Sequence, residues 1–490
     1  METAAAAETL NEICADVDAI MAKTLPKYVI IQSSQKDNSY LHLYKEHPSF
    51  CNALRFVGGY SFGLETRFEL VPATTGAGLF HIRSLLNNKY WENFGTDNNW
   101  VSAMADKPVE DQSENRCTLF QPVFVHSNNN RILRLRHVHT KKFVTFFHGT
   151  GDDCALLSLL TGDEGHDVCT FIDWESVVVL PDVIRIKSNN GNHLRGWRDA
   201  FMDYRGKADN TSRFDFEVSP SRDGGIRLKN IHFGTYWTDM NDSDWVLLKH
   251  PSPTVHDTNT VFLPTILGGN RIYMRSLINN RFCSRHTDPE WDRENCLATL
   301  NTWPDNCCNS CTMEIEEPVI SRTISNVIYH LTDARLYNKK TLALITDDTC
   351  NETPLPQTSE INLKTTVRNT TNWSNSVTLK LGVKMNGTHA VPDIKSGSLE
   401  ISTEVTKSFE WGETETETQE VRSVRTITVP PMSRVKVTLM GTRVSYDIPF
   451  SYTQRDVLIN GTTKVSVKHD GLFTGKGGYD YKHDIVQLAL

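Results

Sequence analysis

Six short segments of this 490-residue chain end in nearly the same way, and that self-similarity constrains the fold more than any other feature. They are TRFELVP at Thr66, CTLFQPV at Cys117, CTFIDWE at Cys169, RFDFEVSP at Arg213, NTVFLPT at Asn259 and CTMEIEEP at Cys311. Each alternates apolar and polar residues, as a half-buried strand does. A second unit recurs beside them: HIRSLLNNKYW at His81, LRLRHVHTKKF at Leu133, RLKNIHFGTYW at Arg227 and YMRSLINNRFC at Tyr273. Its polar turn between two apolar ends predicts a hairpin. The spacing is roughly 50 residues in the first half and roughly 45 in the second, so two sets of three repeats end near Val319. One such repeat cannot bury its own apolar face, but three closed around a pseudo-axis can. The reading is all-β: two tandem β-trefoils over residues 25–180 and 181–318, then a β module over 319–490.

Residues 1–24 predict a short amphipathic helix with Leu10, Ile13, Val17 and Ile20 on one face. Glu2, Glu8 and Glu12 occupy the place of an apolar secretory core, so a cytoplasmic or nucleocytoplasmic protein is expected. Eleven cysteines, an odd number spread along the chain, fit reduced thiols in that compartment.

A sugar site needs an aromatic plate for the apolar pyranose face, with amides or carboxylates nearby for the hydroxyls. The stretch NKYWENFGTDNNW supplies Tyr90, Trp91 and Trp100 around Asn98 and Asn99. The second half repeats the layout in TYWTDMNDSDW, which ends in Asp244 and Trp245.

Residues 25 to 318 resemble the amaranthin family of plant lectins through LPKYVIIQSSQKDNSYLHLY, CTLFQPVFV, the RLRHV run and FIDWESV. The resemblance implies an agglutinin for the Gal-β1,3-GalNAc disaccharide, working as a homodimer packed head to tail. It also places Asn98, Asn99 and Trp100 among the sugar contacts. The chain departs from the family at Asn99, where an aromatic is expected.

Beyond Ile320 the character changes to Thr, Ser and Val in long alternating runs. Leu379, Leu381 and Val383 alternate with Lys380 and Lys384, and after the tip AVPDIKS, Leu399, Ile401 and Val405 alternate with Glu400 and Glu404. Two arms of this kind make an amphipathic hairpin long enough to cross a bilayer, which takes about 9 to 11 residues per strand. Its apolar residues would meet lipid, and Lys380, Lys384, Glu400 and Glu404 would line the lumen. Backbone hydrogen bonding forbids a lone inserted hairpin, so several chains must close a barrel. Any one-faced antiparallel sheet alternates in the same way, however. The order hairpin, SFEWGETETETQEV, TITVPPMSRVKVTLMGTRVSYDIPFS resembles the aerolysin superfamily over about residues 320 to 490. Together the two resemblances imply an amaranthin–aerolysin fusion of plant defence that binds galactose- or GalNAc-type glycans and forms higher oligomers on membranes.

No G-x-S-x-G, H-E-x-x-H or phosphate-binding loop occurs, so neither an enzyme nor a cofactor is expected. Cys307, Cys308 and Cys311, with Cys296 and His286, lack zinc-site spacing and read as structural thiols, leaving no metal. The net charge of −8 carries no basic stripe for nucleic acid. The competing reading is a cytosolic lectin whose C-terminal β module serves only oligomerisation or partner binding.

Overall fold

Each recurring segment becomes the fourth strand of a four-strand unit. The computed structural model describes residues 21–48, 50–57, 59–94, 99–126, 129–147, 155–161, 166–301, 309–379, 385–386, 389–395, 398–407 and 411–489. The first lobe comprises β1 (Tyr28–Ser33), β2 (Ser39–Tyr44), β3 (Ala53–Val57), β4 (Phe68–Pro72), β5 (Phe80–Ser84) and β6 (Tyr90–Phe94). It continues through β7 (Trp100–Ala105), β8 (Phe120–His126), β9 (Asn129–His137), β10 (Phe143–Phe146), β11 (Leu157–Leu160) and β12 (Val168–Asp173). The antiparallel pairs β1–β4, β4–β5, β5–β8, β8–β9, β9–β12 and β12–β1 close a ring of six strands. The remaining strands form the hairpins β2–β3, β6–β7 and β10–β11.

The second lobe repeats this plan. Its strands are β13 (Val183–Ser188), β14 (His193–Gly196), β15 (Met202–Gly206), β16 (Phe216–Pro220), β17 (Ile226–Asn230) and β18 (Tyr236–Asp239). They are followed by β19 (Val246–His250), β20 (Phe262–Gly268), β21 (Arg271–Ser276), β22 (Phe282–Asp288), β23 (Arg293–Asn301) and β24 (Met313–Glu316). Strands β13, β16, β17, β20, β21 and β24 close the second ring. The six recurring segments therefore fall on β4, β8, β12, β16, β20 and β24.

Turn chemistry fixes the repeats. Asn88 and Asn280 hold the left-handed conformation at φ 57° and 62°, which asparagine tolerates better than a branched residue. Beside them, Asn87 Oδ1 accepts the Lys89 N–H at 3.1 Å and Asn279 Oδ1 accepts the Arg281 N–H at 2.9 Å. Inside the rings, Trp91 stands edge-on to Phe68 and Phe120, and Trp237 does the same to Phe216 and Phe262. Tyr40 joins the lobes: its hydroxyl donates to the Ser221 carbonyl at 2.5 Å and accepts the Gly224 N–H at 2.8 Å.

The C-terminal half is built from β25 (Val319–Tyr329), β26 (Arg335–Asn351), β27 (Gln357–Ser374), β28 (Met385–Asn386), β29 (His389–Lys395) and β30 (Ser398–Lys407). It ends with β31 (Thr414–Val429), β32 (Ser433–Leu458) and β33 (Thr463–Ala489). Seven of these make one sheet in the order β28-β25-β32-β33-β27-β31, with β26 on β32, while β29 and β30 pair apart. The alternating sequence explains the long strands. Ile361, Leu363 and Val367 of β27 and Val421, Ile427 and Val429 of β31 are buried with Val435, Val437 and Leu439 of β32, and polar residues alternate with them.

Packing divides the chain into two units. The first is 1–321 with the excursions 376–383 and 456–464, and the second is the rest of the C-terminal half. Residue 376 is where the expected hairpin departs from the sequence reading. Leu379 is 4% exposed within the core of the first unit. Next to it, the Thr378 N–H donates to the Val179 carbonyl at 2.9 Å, and the Thr378 hydroxyl accepts the Val179 N–H at 3.0 Å. Leu379 thus meets protein and no solvent in this conformation.

The hairpin that is present joins His389–Lys395 to Ser398–Lys407. The expected tip is therefore a strand, and Glu400 pairs with Asp393. The physical reason is packing. Ile394 is buried, and Val391 and Leu399 half-buried, against an aromatic cluster that includes Trp373, Phe450, Tyr452 and Phe473. Ile401 is 42% exposed. Glu404 and Val405 belong to β30, whereas Lys380, Leu381, Val383 and Lys384 lie outside the described residues. Of the expected N-terminal helix over 1–24, residues 1–20 also lie outside them and Met21 and Ala22 are helical; the named elements are strands and 3-10 turns.

Candidate functional site

Strands β6 and β7 carry the expected sugar-binding side chains, and the fold sorts them sharply. Trp91 is fully buried in the first ring and Tyr90 is 5% exposed, so neither presents a plate to solvent. That corrects their assignment: the register that pairs Trp91 with Ala103 turns the indole inward. Trp100, across from Phe94, is only partly buried.

Trp100 lies on an aromatic shelf. Its ring is stacked 6.0 Å from Phe50 and meets Phe147 edge-on at 5.5 Å. Phe50 stacks in turn on Phe94 at 5.3 Å. Phe147 remains 40% exposed. Asn99 precedes the indole at φ 50°. Its carbonyl accepts the Leu159 N–H at 2.7 Å, and its side-chain oxygen accepts from Lys142 Nζ at 3.1 Å. The left-handed backbone gives a reason for asparagine where the lectin pattern has an aromatic. Asn98 lies outside the described residues.

Sequence reading missed Phe50, Phe94, Phe147 and Lys142. They come from three different repeats, and only closure of the hairpin triplet gathers them. The signal available was the pseudo-symmetry itself: Phe147 and Lys142 follow the β9 unit as His286 and Arg281 follow the β21 unit.

That symmetry produces a second constellation. In the other lobe Trp245 meets Phe201 at 5.7 Å and His286 at 5.6 Å. Asp244 sits at φ 58°, its carbonyl accepts the Thr299 N–H at 2.7 Å, and its carboxylate is ion-paired with Arg281. Asp244, Trp245, Arg281, Phe201 and His286 thus occupy the places of Asn99, Trp100, Lys142, Phe50 and Phe147. Here the shelf is closed: Trp245 is 5% exposed, and the Arg293 guanidinium lies 3.8 Å from the centre of the Phe201 ring. Trp245 is packing, which corrects its assignment as a sugar contact, and Asp244 is held by its arginine.

Among the described residues no group of three or more His, Cys, Asp or Glu side chains could hold a metal ion. Cys307 and Cys308 lie outside those residues, and Cys296 is buried against Trp245. No described helix is long and apolar enough to cross a membrane.

Residues 23–170 match the agglutinin domain family. Natterin-1 of Thalassophryne nattereri is 23% identical over 141 residues, 29% of this chain and 40% of that protein. Natterin-2 of the same organism is 26% identical over 141 residues, 38% of its length. The chain therefore matches well under half of these relatives. Among solved structures, a lamprey immune protein covers 73% of this chain and 87% of its own, at 11% identity and a TM-score of 0.30. A mosquitocidal holotoxin covers 62% and 36%, at 9% identity and a TM-score of 0.28.

Proposed function

We propose that the chain is a lectin whose first lobe holds a glycan on the Trp100 shelf, and whose C-terminal module inserts β-hairpins into membranes. The observation that carries the lectin reading is the partly open Trp100, inside the segment that matches the agglutinin domain. The indole offers a flat apolar face, and Asn99 and Lys142 stand beside it with groups that hydrogen-bond hydroxyls. Each closed six-strand ring with its three hairpins supports the β-trefoil reading. The Gal-β1,3-GalNAc ligand and the head-to-tail homodimer follow from the amaranthin-like motifs.

The membrane reading rests on the alternation of residues 377–385 and 399–405. A second reading, in which the module serves only oligomerisation or partner binding, is favoured by the buried position of Leu379. Dye release separates the two. The full chain is added to phosphatidylcholine vesicles with and without a glycolipid ending in Gal-β1,3-GalNAc. Release that requires the glycolipid, with oligomers that survive SDS, supports insertion. Binding without release supports the second reading, and absence of binding to any glycan on an array overturns the lectin assignment.

A further inference from the structure

The sequence carries one alternation of apolar and polar residues through the hairpin region, and the fold carries two pairing registers for it. Strands β27 and β31 pair from Gln357–Val429 to Asn372–Thr414 without a bulge. Their buried apolar residues, among them Ile361, Leu363, Val421 and Ile427, all bear odd numbers, and cross-strand partners share a face. Continued beyond Asn372 and Thr414 one residue per rung, this register brings the two strands together at Asp393. It pairs odd with odd throughout: Val377 with Phe409, Leu381 with Val405, Val383 with Thr403 and Met385 with Ile401. The apolar face of the ribbon and the apolar face of both arms are then one surface.

The β29–β30 hairpin uses another register. There Ile401 faces Pro392 and Glu400 faces Asp393, so odd pairs with even from Val391 to Lys395, before a bulge that puts His389 opposite Lys407. Ile401 would face Met385 in the first register, seven residues from its present partner. One continuous ribbon cannot hold both, because an odd shift turns one strand's side chains to the opposite face. Thr378 and Leu379 are fastened to the first unit, and Met385 pairs in parallel with Arg322 of β25.

We infer that the β27–β31 register, and not that of the β29–β30 hairpin, sets the inserted hairpin and thereby the residues that determine its ion selectivity. This deepens the membrane-inserting reading and rests on it. On the even face Lys380 then opposes Thr406, Glu404 opposes Gly382, Lys384 opposes Ser402 and Glu400 opposes Asn386. No lysine shares a rung with an acid. The lumen would carry four charge rings of alternating sign, each roughly 7 Å from the next, with Glu400 nearest the tip. On the lipid face the rungs from Leu381–Val405 to Gly387–Leu399 carry no charge, and the charged Lys395 and Asp393 fall at the tip. Lys407 is displaced toward the base, opposite Leu379, where a long cationic side chain reaches headgroups.

Double-cysteine variants of the full chain test the register on phosphatidylcholine vesicles bearing a Gal-β1,3-GalNAc glycolipid. M385C/I401C is expected to stay unlinked in solution and to cross-link in SDS-resistant oligomers, joining the tryptic peptides that begin at positions 385 and 396. H389C/K407C should cross-link in solution, keep glycan binding, and lose dye release until reduced. A link in V391C/S402C oligomers instead of M385C/I401C overturns the inference, as does release by oxidised H389C/K407C. Wild-type chain that binds these vesicles and releases no dye overturns the membrane reading, and this inference with it.

Discussion

The two lobes carry the same five-residue constellation in opposite states. In the first, Trp100 is partly open, Phe147 is exposed, and the Lys142 ammonium donates to a neutral asparagine. In the second, Trp245 is buried, an aspartate replaces the asparagine and pairs with Arg281, and Arg293 covers Phe201. Pseudo-symmetry repeats a scaffold, but a site survives only where the repeat leaves the aromatic face uncovered. In the second lobe Leu247, Cys296 and Ala298 also bury Trp245, so the plate has become packing.

Truncating the two tryptophans tests this difference most severely. Trp245→Ala should lower stability by about 3–5 kcal/mol, as loss of a buried aromatic does, and move the thermal midpoint without changing glycan binding. Trp100→Ala should do the reverse, with a loss of about 2 kcal/mol or more in glycan affinity on an array and an unchanged melting curve. Equal effects of both variants on binding would mean that the second shelf opens in solution.

Tyr40→Phe sharpens the comparison by loosening the lobes. It strands the Ser221 carbonyl and the Gly224 N–H, a cost of about 1–3 kcal/mol. Denaturant unfolding should show the midpoint fall, while binding at Trp100 is retained. A smaller effect is expected from Asp244→Asn, which copies the first lobe. Its ion pair with Arg281 is over a third exposed on both sides, so about 0–1 kcal/mol of stability is lost. Gain of a second binding stoichiometry by calorimetry would show that charge alone closes that shelf.

The smallest effect concerns pH. Glu110 in the β7–β8 loop and Asp257 in the β19–β20 loop both have carboxyls held below the usual range. For Glu110 the Thr75 hydroxyl, then the Thr74 N–H, bring it to about 2. For Asp257 the Thr254 N–H is the main cause. A depressed folded pKa gives stability that is present above the unfolded value and lost as pH falls through the folded one. Both loops should therefore hold near neutral pH; the Glu110 loop loosens below about 4.5, its share fading toward pH 2, and the Asp257 loop loosens only below about 3.8. Amide exchange in the two loops should rise in that order, and Glu110→Gln should remove the trend in the first lobe only.

Alternation and turn residues made the strands at the ends of the repeats legible, from Phe68–Pro72 to Met313–Glu316. They could not distinguish Trp91 from Trp100, nine residues apart in one hairpin, because both lie in polar, aromatic-rich sequence. A strand's period states which residues share a face and not which face is inside.

The hairpin makes the same point about register. The sequence by itself determined that residues 377–385 and 399–405 alternate, a local property of side-chain type. The pairing partner is not local. Only the tertiary structure decided that Glu400 faces Asp393, because the Ile394–Leu399 pair is drawn onto the aromatic cluster and Leu379 into another core. Burial of a few apolar side chains selects among registers that local alternation leaves open.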